Sequence, residues 1–306
     1  MNRFPQAVEL IEVAPRDGLQ NESVPVDTAT KLELITRLLD AGQRRIEVTS
    51  FVNPNKVPQM ADAEALCERL PHHAGARYAG LVLNQRGYAR ARATGRLHEV
   101  CLVVCATDTF GQRNQGQTIA QGIAETSAIV RAARADGIAS SVTVTVAFGC
   151  PFEGEVDAAR VVDLAQALAE QQPDELVLAD TIGVAVPTQV TSLIAAVRAR
   201  IGDRLPIRGH FHNTRNTAIA NIVAALQAGV SRFDASVGGV GGCPFAPAAT
   251  GNVASEDVAY LCQRMGLALP VDLGRLNETA RWLGDRLGRP LPGMLSRAGG
   301  FPPARA

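Results

Sequence analysis

Ile207-Arg-Gly-His-Phe-His212 is the stretch on which the reading of the fold turns. It is short, opens on a β-branched residue, and closes on two histidines one residue apart. On a strand, residues i and i+2 point to the same face, roughly 7 Å apart along the backbone. Two imidazoles at the end of one strand therefore converge on one point, and the question becomes which other strands end beside them.

Seven further apolar runs share its character, at residues 8–13, 45–50, 78–83, 99–105, 141–147, 175–179 and 232–237. Between them lie amphipathic stretches rich in Ala, Leu and Arg, at 29–41, 61–70, 86–94, 119–136, 157–170, 187–200 and 217–228, and another follows at 255–265. Asp27 is placed to cap the first helix, and Gly42 and Gly229 to end the first and seventh. Strict alternation implies a parallel sheet. Eight units in 306 residues predict an α/β fold, a (β/α)8 TIM barrel with a short C-terminal helical extension. An open, doubly wound sheet is the competitor, and polar residues at the strand ends decide against it. Arg16 and Asp17 follow strand one, Glu47 lies in strand two, Asn84 ends strand three and Asp180 ends strand six. His210 and His212 close strand seven, and the glycine-rich segment 238–242 with Cys243 follows strand eight. Scattered polar residues would not all fall on one rim, the C-terminal rim where barrel enzymes carry their chemistry. A single catalytic domain is expected over 1–306, with the barrel at about 8–266. Residues 270–282 supply one more helix, and 267–306 form the extension and tail.

Composition narrows the partners. Thirty basic and thirty acidic residues give no net charge and no long single-sign run, which argues against nucleic-acid and membrane partners. Residues 1–8 lack the apolar core of a signal peptide, and no run of eighteen apolar residues occurs. The six cysteines show no Cys-x-x-Cys pair, so Cys101, Cys105 and Cys150 read as buried, reduced thiols. A cytoplasmic protein is expected.

The two histidines, with Asp17 from strand one and the neutral oxygen of Asn252 beyond strand eight, suit a divalent metal. The oxygen donors favour Mg²⁺ or Mn²⁺. A pair of hydrogen-bonded interior histidines is the plainer alternative, weakened by Asp17 and Asn252 on the same rim. An amidohydrolase would carry His-x-His on its first strand rather than its seventh. Arg16, always charged, suits a developing enolate. The loop Gly238-Gly-Val-Gly-Gly242-Cys243-Pro244 is expected to be too flexible to pack. Its spacing and its place after the last strand exclude a dinucleotide loop. A mobile lid carrying Cys243 as proton donor or acceptor is the sharper expectation. Glu47 and Asp180 are expected in support, orienting ligands or holding Arg16. Glu256 reads as a first-turn helix acid.

The sequence resembles the 3-hydroxy-3-methylglutaryl-CoA lyase family, within the metal-dependent barrel lyases and Claisen-type synthases. The matching stretches are Ala14-Pro-Arg-Asp-Gly-Leu-Gln-Asn-Glu22, Ile46-Glu-Val-Thr-Ser-Phe-Val52, Val57-Pro-Gln-Met-Ala-Asp62 and Gly149-Cys-Pro-Phe-Glu-Gly154. Asp180-Thr-Ile-Gly183, His210-x-His212, the glycine loop with its cysteine, and Gly251-Asn252 complete them, spanning about 8–266. The resemblance implies a metal on Asp17, His210, His212 and Asn252, with Arg16 on the enolate and Cys243 in proton transfer. Glu47 and Asp180 would support them, and Arg16, Gln20 and Asn84 would contact substrate. It implies an acyl-CoA substrate cleaved by a retro-Claisen step to acetyl-CoA and acetoacetate, and a homodimer.

Two departures follow strand seven. The family reads His-x-His-Asp-Thr-Tyr-Gly-Gln, whereas this chain has His-Phe-His-Asn213-Thr-Arg215-Asn-Thr217. A family lysine soon after Arg-Asp is Ser23 here. These changes spare the ligands and touch the acyl surroundings, leaving a 3-hydroxy-3-carboxyalkyl acyl-CoA as an alternative substrate. An isopropylmalate- or homocitrate-type synthase is disfavoured by Cys243 and the lack of room for extra C-terminal domains. A non-catalytic binding barrel is disfavoured by the intact polar set.

Overall fold

The computed structural model describes residues 4–242 and 251–301. Its strands are β1 (Glu9–Glu12), β2 (Arg45–Ser50), β3 (Arg77–Leu81), β4 (Glu99–Cys105), β5 (Ala139–Thr145), β6 (Glu175–Asp180), β7 (Ile207–Phe211) and β8 (Arg232–Ala235). They close a barrel in chain order, and β8 returns to β1 in parallel with Ala235 opposite Glu12, which excludes the open sheet. Each strand falls within two residues of its expected bounds.

The described helices are α1 (Thr28–Asp40), α2 (Ala63–Glu68), α3 (Gln85–Ala93), α4 (Asp108–Gln115), α5 (Ile119–Ala135) and α6 (Ala158–Ala169). They continue as α7 (Pro187–Ile201), α8 (Ala218–Gln227), α9 (Ser255–Arg264), α10 (Leu273–Leu287) and α11 (Leu295–Ala298). The first helix shows why they form. Asp27 accepts a hydrogen bond from Thr30 N at 2.7 Å and so caps the helix, satisfying one of its free N–H groups. Leu34, Ile35, Leu38 and Leu39 then bury a stripe spaced by three and four. Ala41 is the residue that caps its end, with Gly42 next along the chain. Helix α4 was not expected, because Asp-Thr-Phe-Gly-Gln-Arg-Asn-Gln carries no apolar period; Thr107, accepting from Phe110 N, starts it.

The main core lies between the strands and the surrounding helices. Inside the barrel, Ala79, Leu81 and Cys101 make a smaller apolar cluster. The rest of the interior floor is charged. Arg45 holds Glu99 through Nε and Nη2 at 2.8 Å each, and reaches Glu175 Oε2 at 2.6 Å. Such buried pairs add little net stability, yet deleting one partner costs about 3–5 kcal/mol.

Beyond the barrel, α10 packs on α1, with Arg37 over the Trp282 ring at 4.8 Å. The following segment crosses the end of β8, where Gly293 N donates to Gly238 O at 3.0 Å. Among the described residues, no helix is long and apolar enough to cross a membrane.

Candidate metal and active site

The chain leaves β1 through a single π-helical turn, Ala14–Gly18, in which Gly18 N donates to Val13 O at 3.1 Å. Such widened turns recur at functional sites. This one sets Arg16 and Asp17 over the barrel mouth. Arg16 donates through Nη1 to Asp17 Oδ1 at 2.7 Å and through Nη2 to Glu47 Oε2 at 2.6 Å. Its guanidinium is thus fixed by two carboxylates with little solvent around it.

Asp17, His210 and His212 each offer one donor atom within 4.8 Å of the others. The two Nε2 atoms stand 3.1 Å apart, and Asn252 Nδ2 donates to Asp17 Oδ2 at 2.7 Å. His212 also forms a bridge with Asn252 across the mouth. His210 Nδ1 lies 3.0 Å from Asp234 Oδ2; the carboxylate requires the proton on Nδ1, so Nε2 turns its lone pair to the cluster. His212 Nδ1 is buried without a partner. Two imidazole nitrogens and a carboxylate around one point are the donor set of a divalent cation, and these residues fit one. Turning the Asn252 amide over presents Oδ1 as a fourth, neutral donor, at the loss of its contact with Val240 O at 3.3 Å.

The electrostatics agree. Burial alone would raise the Asp17 carboxyl, but Arg16 and the two imidazoles pull it down to about 2, so it stays ionised. Burial, then the neighbouring His210, lowers His212 to about 4, which keeps it neutral and able to ligate. The Glu47 carboxyl is raised by burial in spite of Arg16. Its Oε1 has no hydrogen-bond partner.

Other expected residues sit elsewhere. Asp180 ends β6 as expected, yet its oxygens accept from Val184 N at 2.8 Å and Ala185 N at 3.1 Å. It shapes the turn into α7 and does not reach the metal cluster. Asn84 lies three residues past β3 and caps α3 by accepting from Gly87 N at 2.9 Å. Gln20 keeps a buried Oε1 without a partner, directly after the turn carrying Asp17. Arg215 donates to the carbonyls of Ile182 and Gly183, bracing the loop after β7 against the loop after β6.

The glycine segment departs from expectation. Val237–Gly239 is a short 3-10 turn, and 238–241 packs closely. A Cβ on Gly238, at φ +72°, would overlap Leu291; one on Gly241, at φ +125°, would stand 2.6 Å from Asn252 Nδ2. These glycines permit close approach in left-handed backbone, so 238–241, at the foot of the loop, pack against Leu291 and Asn252. Asn21 Nδ2 donates to Gly242 O at 2.9 Å and ties the segment to the loop after β1. Cys243 lies outside the described residues. Glu256 is in the first turn of α9 as expected, but its carboxylate is buried and accepts from Gly238 N at 2.9 Å. Beside it Glu12 accepts from Val237 N at 2.9 Å and Ser255 Oγ at 2.6 Å. Glu12 and Asp234 escaped the sequence reading. Asp234 takes the inward face of β8, whereas Glu12, opposite Ala235, takes the outward face of β1 with Leu10 and meets Ser255 of α9.

A model of one family, HMGL-like, matches residues 7–283. The chain belongs to that family. It is 45% identical over 304 residues to an (R)-citramalyl-CoA lyase of Chloroflexus aurantiacus, covering 96% of this chain and 95% of the relative. It is 39% identical over 289 residues to a hydroxymethylglutaryl-CoA lyase of Bacillus subtilis, covering 94% and 96%. A solved hydroxymethylglutaryl-CoA lyase of Acinetobacter baumannii, in complex with coenzyme A and 3-methylmalate, superposes with a TM-score of 0.93. Its identity is 36%, over 100% of this chain and 99% of that one. Family membership makes this chain a carbon–carbon lyase.

Proposed function

We propose that the chain cleaves a 3-hydroxy-3-carboxyalkyl thioester of coenzyme A, of the citramalyl type, to acetyl-CoA and a 2-oxo acid. The observation that carries the chemistry is the cluster of Asp17, His210 and His212 beside a doubly braced Arg16. The acyl assignment is supported by the 45% identity to the citramalyl-CoA lyase and by Asn213 and Arg215 standing where the resemblance expects an acid and an aromatic.

Asp17, His210, His212 and Asn252 would hold Mg²⁺ or Mn²⁺, which when bound supplies positive charge that lowers the pKa of the substrate hydroxyl. Glu47 Oε1, buried, unpartnered and raised in basicity, takes up the hydroxyl proton. The bond between C2 and C3 then breaks, and its electron pair remains on the thioester fragment as an enolate. Arg16, held from behind by Glu47 and Asp17, faces that negative charge without having to reorganise. Cys243, immediately after the anchored Gly242, delivers a proton to the enolate carbon and completes acetyl-CoA. The buried Gln20 Oε1 contacts the substrate.

Hydroxymethylglutaryl-CoA is the second reading, favoured by the Bacillus subtilis and Acinetobacter baumannii relatives. The two separate by product. Incubation with each thioester should release acetyl-CoA with pyruvate from citramalyl-CoA at the higher kcat/KM. Faster release of acetoacetate from hydroxymethylglutaryl-CoA would reverse the order.

A further inference from the structure

Directly beneath the metal cluster, Asp234 has two oxygens with two different partners. Oδ2 faces His210 Nδ1 at 3.0 Å, and Oδ1 faces Arg208 Nε at 3.3 Å. Arg208 lies two residues before His210 on β7 and is buried, as is Asp234. Its Nη1 reaches Glu175 Oε2 at 3.2 Å, and its Nη2 donates to Ser141 Oγ at 3.1 Å.

The plain explanation for Arg208 is charge balance on the floor. Glu175 does not need it, because Arg45 reaches one of its oxygens at 2.6 Å and Arg232 the other at 3.0 Å. Glu99 is held by Arg45 at two points, with Arg208 only at 3.9 Å. Among the described residues, Asp234 forms ion pairs only with Arg208 and with the imidazole it orients, so the separate contribution of Arg208 falls on Asp234. Arg208 Nε and Asp234 Oδ1 close no hydrogen bond, so Arg208 acts on that oxygen as a buried ion pair at 3.3 Å, whose attraction favours the carboxylate torsion that keeps Oδ2 on His210.

We propose that Arg208 is a positioning residue of the metal centre. Acting through Asp234, it fixes the His210 ring so that Nε2 points at Asp17 and His212. This rests on reading those three residues as a metal site. Partners behind a ligating histidine typically contribute about 10–100-fold to metal affinity.

The test measures Mn²⁺ dissociation constants by electron paramagnetic resonance on metal-stripped wild type, Arg208→Gln, Asp234→Asn and the double variant, with circular dichroism to establish folding. Arg208→Gln should bind Mn²⁺ about tenfold or more weakly. Added to Asp234→Asn it should weaken binding little further, because the path through Asp234 is already cut. Wild-type affinity in Arg208→Gln, or full additivity in the double variant, overturns the proposal. Should Arg208→Gln fail to fold, Arg208→Met, which keeps the length of the side chain but carries no charge for Asp234, is read in its place, and affinity equal to wild type again overturns the proposal. Wild type that binds no Mn²⁺ removes the metal reading and the proposal with it, which distinguishes the two failures.

Discussion

Arg16 Nη2 stands 2.6 Å from Glu47 Oε2, joining the turn after β1 to the inner face of β2. The same guanidinium holds Asp17, so one cation links the proposed enolate site to a proposed metal ligand. Replacing Arg16 by Met should lower kcat by about 10²–10³ with a small change in KM, as for loss of one preorganised oxyanion partner. Glu47→Gln should lower kcat comparably, because it removes the proton acceptor and one of the two braces. Steady-state acetyl-CoA release measures both; an unchanged kcat in Glu47→Gln removes Glu47 Oε1 as the acceptor.

The packed glycine segment makes a different prediction. Gly241→Ala places a Cβ 2.6 Å from Asn252 Nδ2 and should displace that side chain, weakening Mn²⁺ binding about tenfold. Gly137→Ala, whose Cβ would meet nothing within 4 Å, should leave Mn²⁺ affinity at the wild-type value. Calorimetric titration of both variants decides it, and equal affinities would remove the fourth-ligand role of Asn252.

Much of this was legible in the sequence. The barrel, its strand bounds and the convergence of Asp17, His210 and His212 follow from alternation and from polar residues at strand ends. Asn252 was placed correctly beside Asp17, since the chain beyond β8 must return to the same rim. The fate of Asp180 was not legible: whether a strand-end acid faces a ligand or caps its own turn depends on backbone direction two residues later. Nor was the packing of the glycines, because Gly-rich composition reads alike for a mobile loop and for close backbone contact. The charged floor of Arg45, Glu99, Glu175 and Arg208 hid behind strand patterns that look apolar overall.

Two buried acids grip the foot of the glycine segment, and their titration should be visible in stability. Burial raises the Glu12 carboxyl to about 7 and the Glu256 carboxyl to about 8, from 4.5 in each case. Between the unfolded value and these folded values, the native state retains protons that the unfolded chain has lost. Their stabilising contribution is therefore complete below pH 4.5 and is lost as pH rises through about 7 and 8. Glu256→Gln, which cannot ionise, should reduce the loss of unfolding free energy from pH 5 to about pH 9 by an amount on the order of a few kcal/mol, read as a shallower fall in Tm. Parallel Tm–pH curves for variant and wild type would show that Glu256 keeps an ordinary carboxyl.

Cys243→Ala should separate chemistry from metal binding. Loss of a proton donor lowers kcat by about 10²–10⁴, whereas the Mn²⁺ dissociation constant should stay at the wild-type value. Full turnover by this variant would take proton transfer away from Cys243.

The central claim is that Asp17, His210 and His212 form the metal centre of an acyl-CoA lyase, and one measurement meets it most directly. Protein stripped with a chelator is assayed for acetyl-CoA release from citramalyl-CoA and hydroxymethylglutaryl-CoA before and after reloading with Mn²⁺, beside His210→Ala treated alike. The account predicts no turnover when stripped, recovery on reloading in wild type, and no recovery in His210→Ala. Undiminished turnover by the stripped protein, or no release from either thioester by folded, Mn²⁺-loaded wild type, would contradict it.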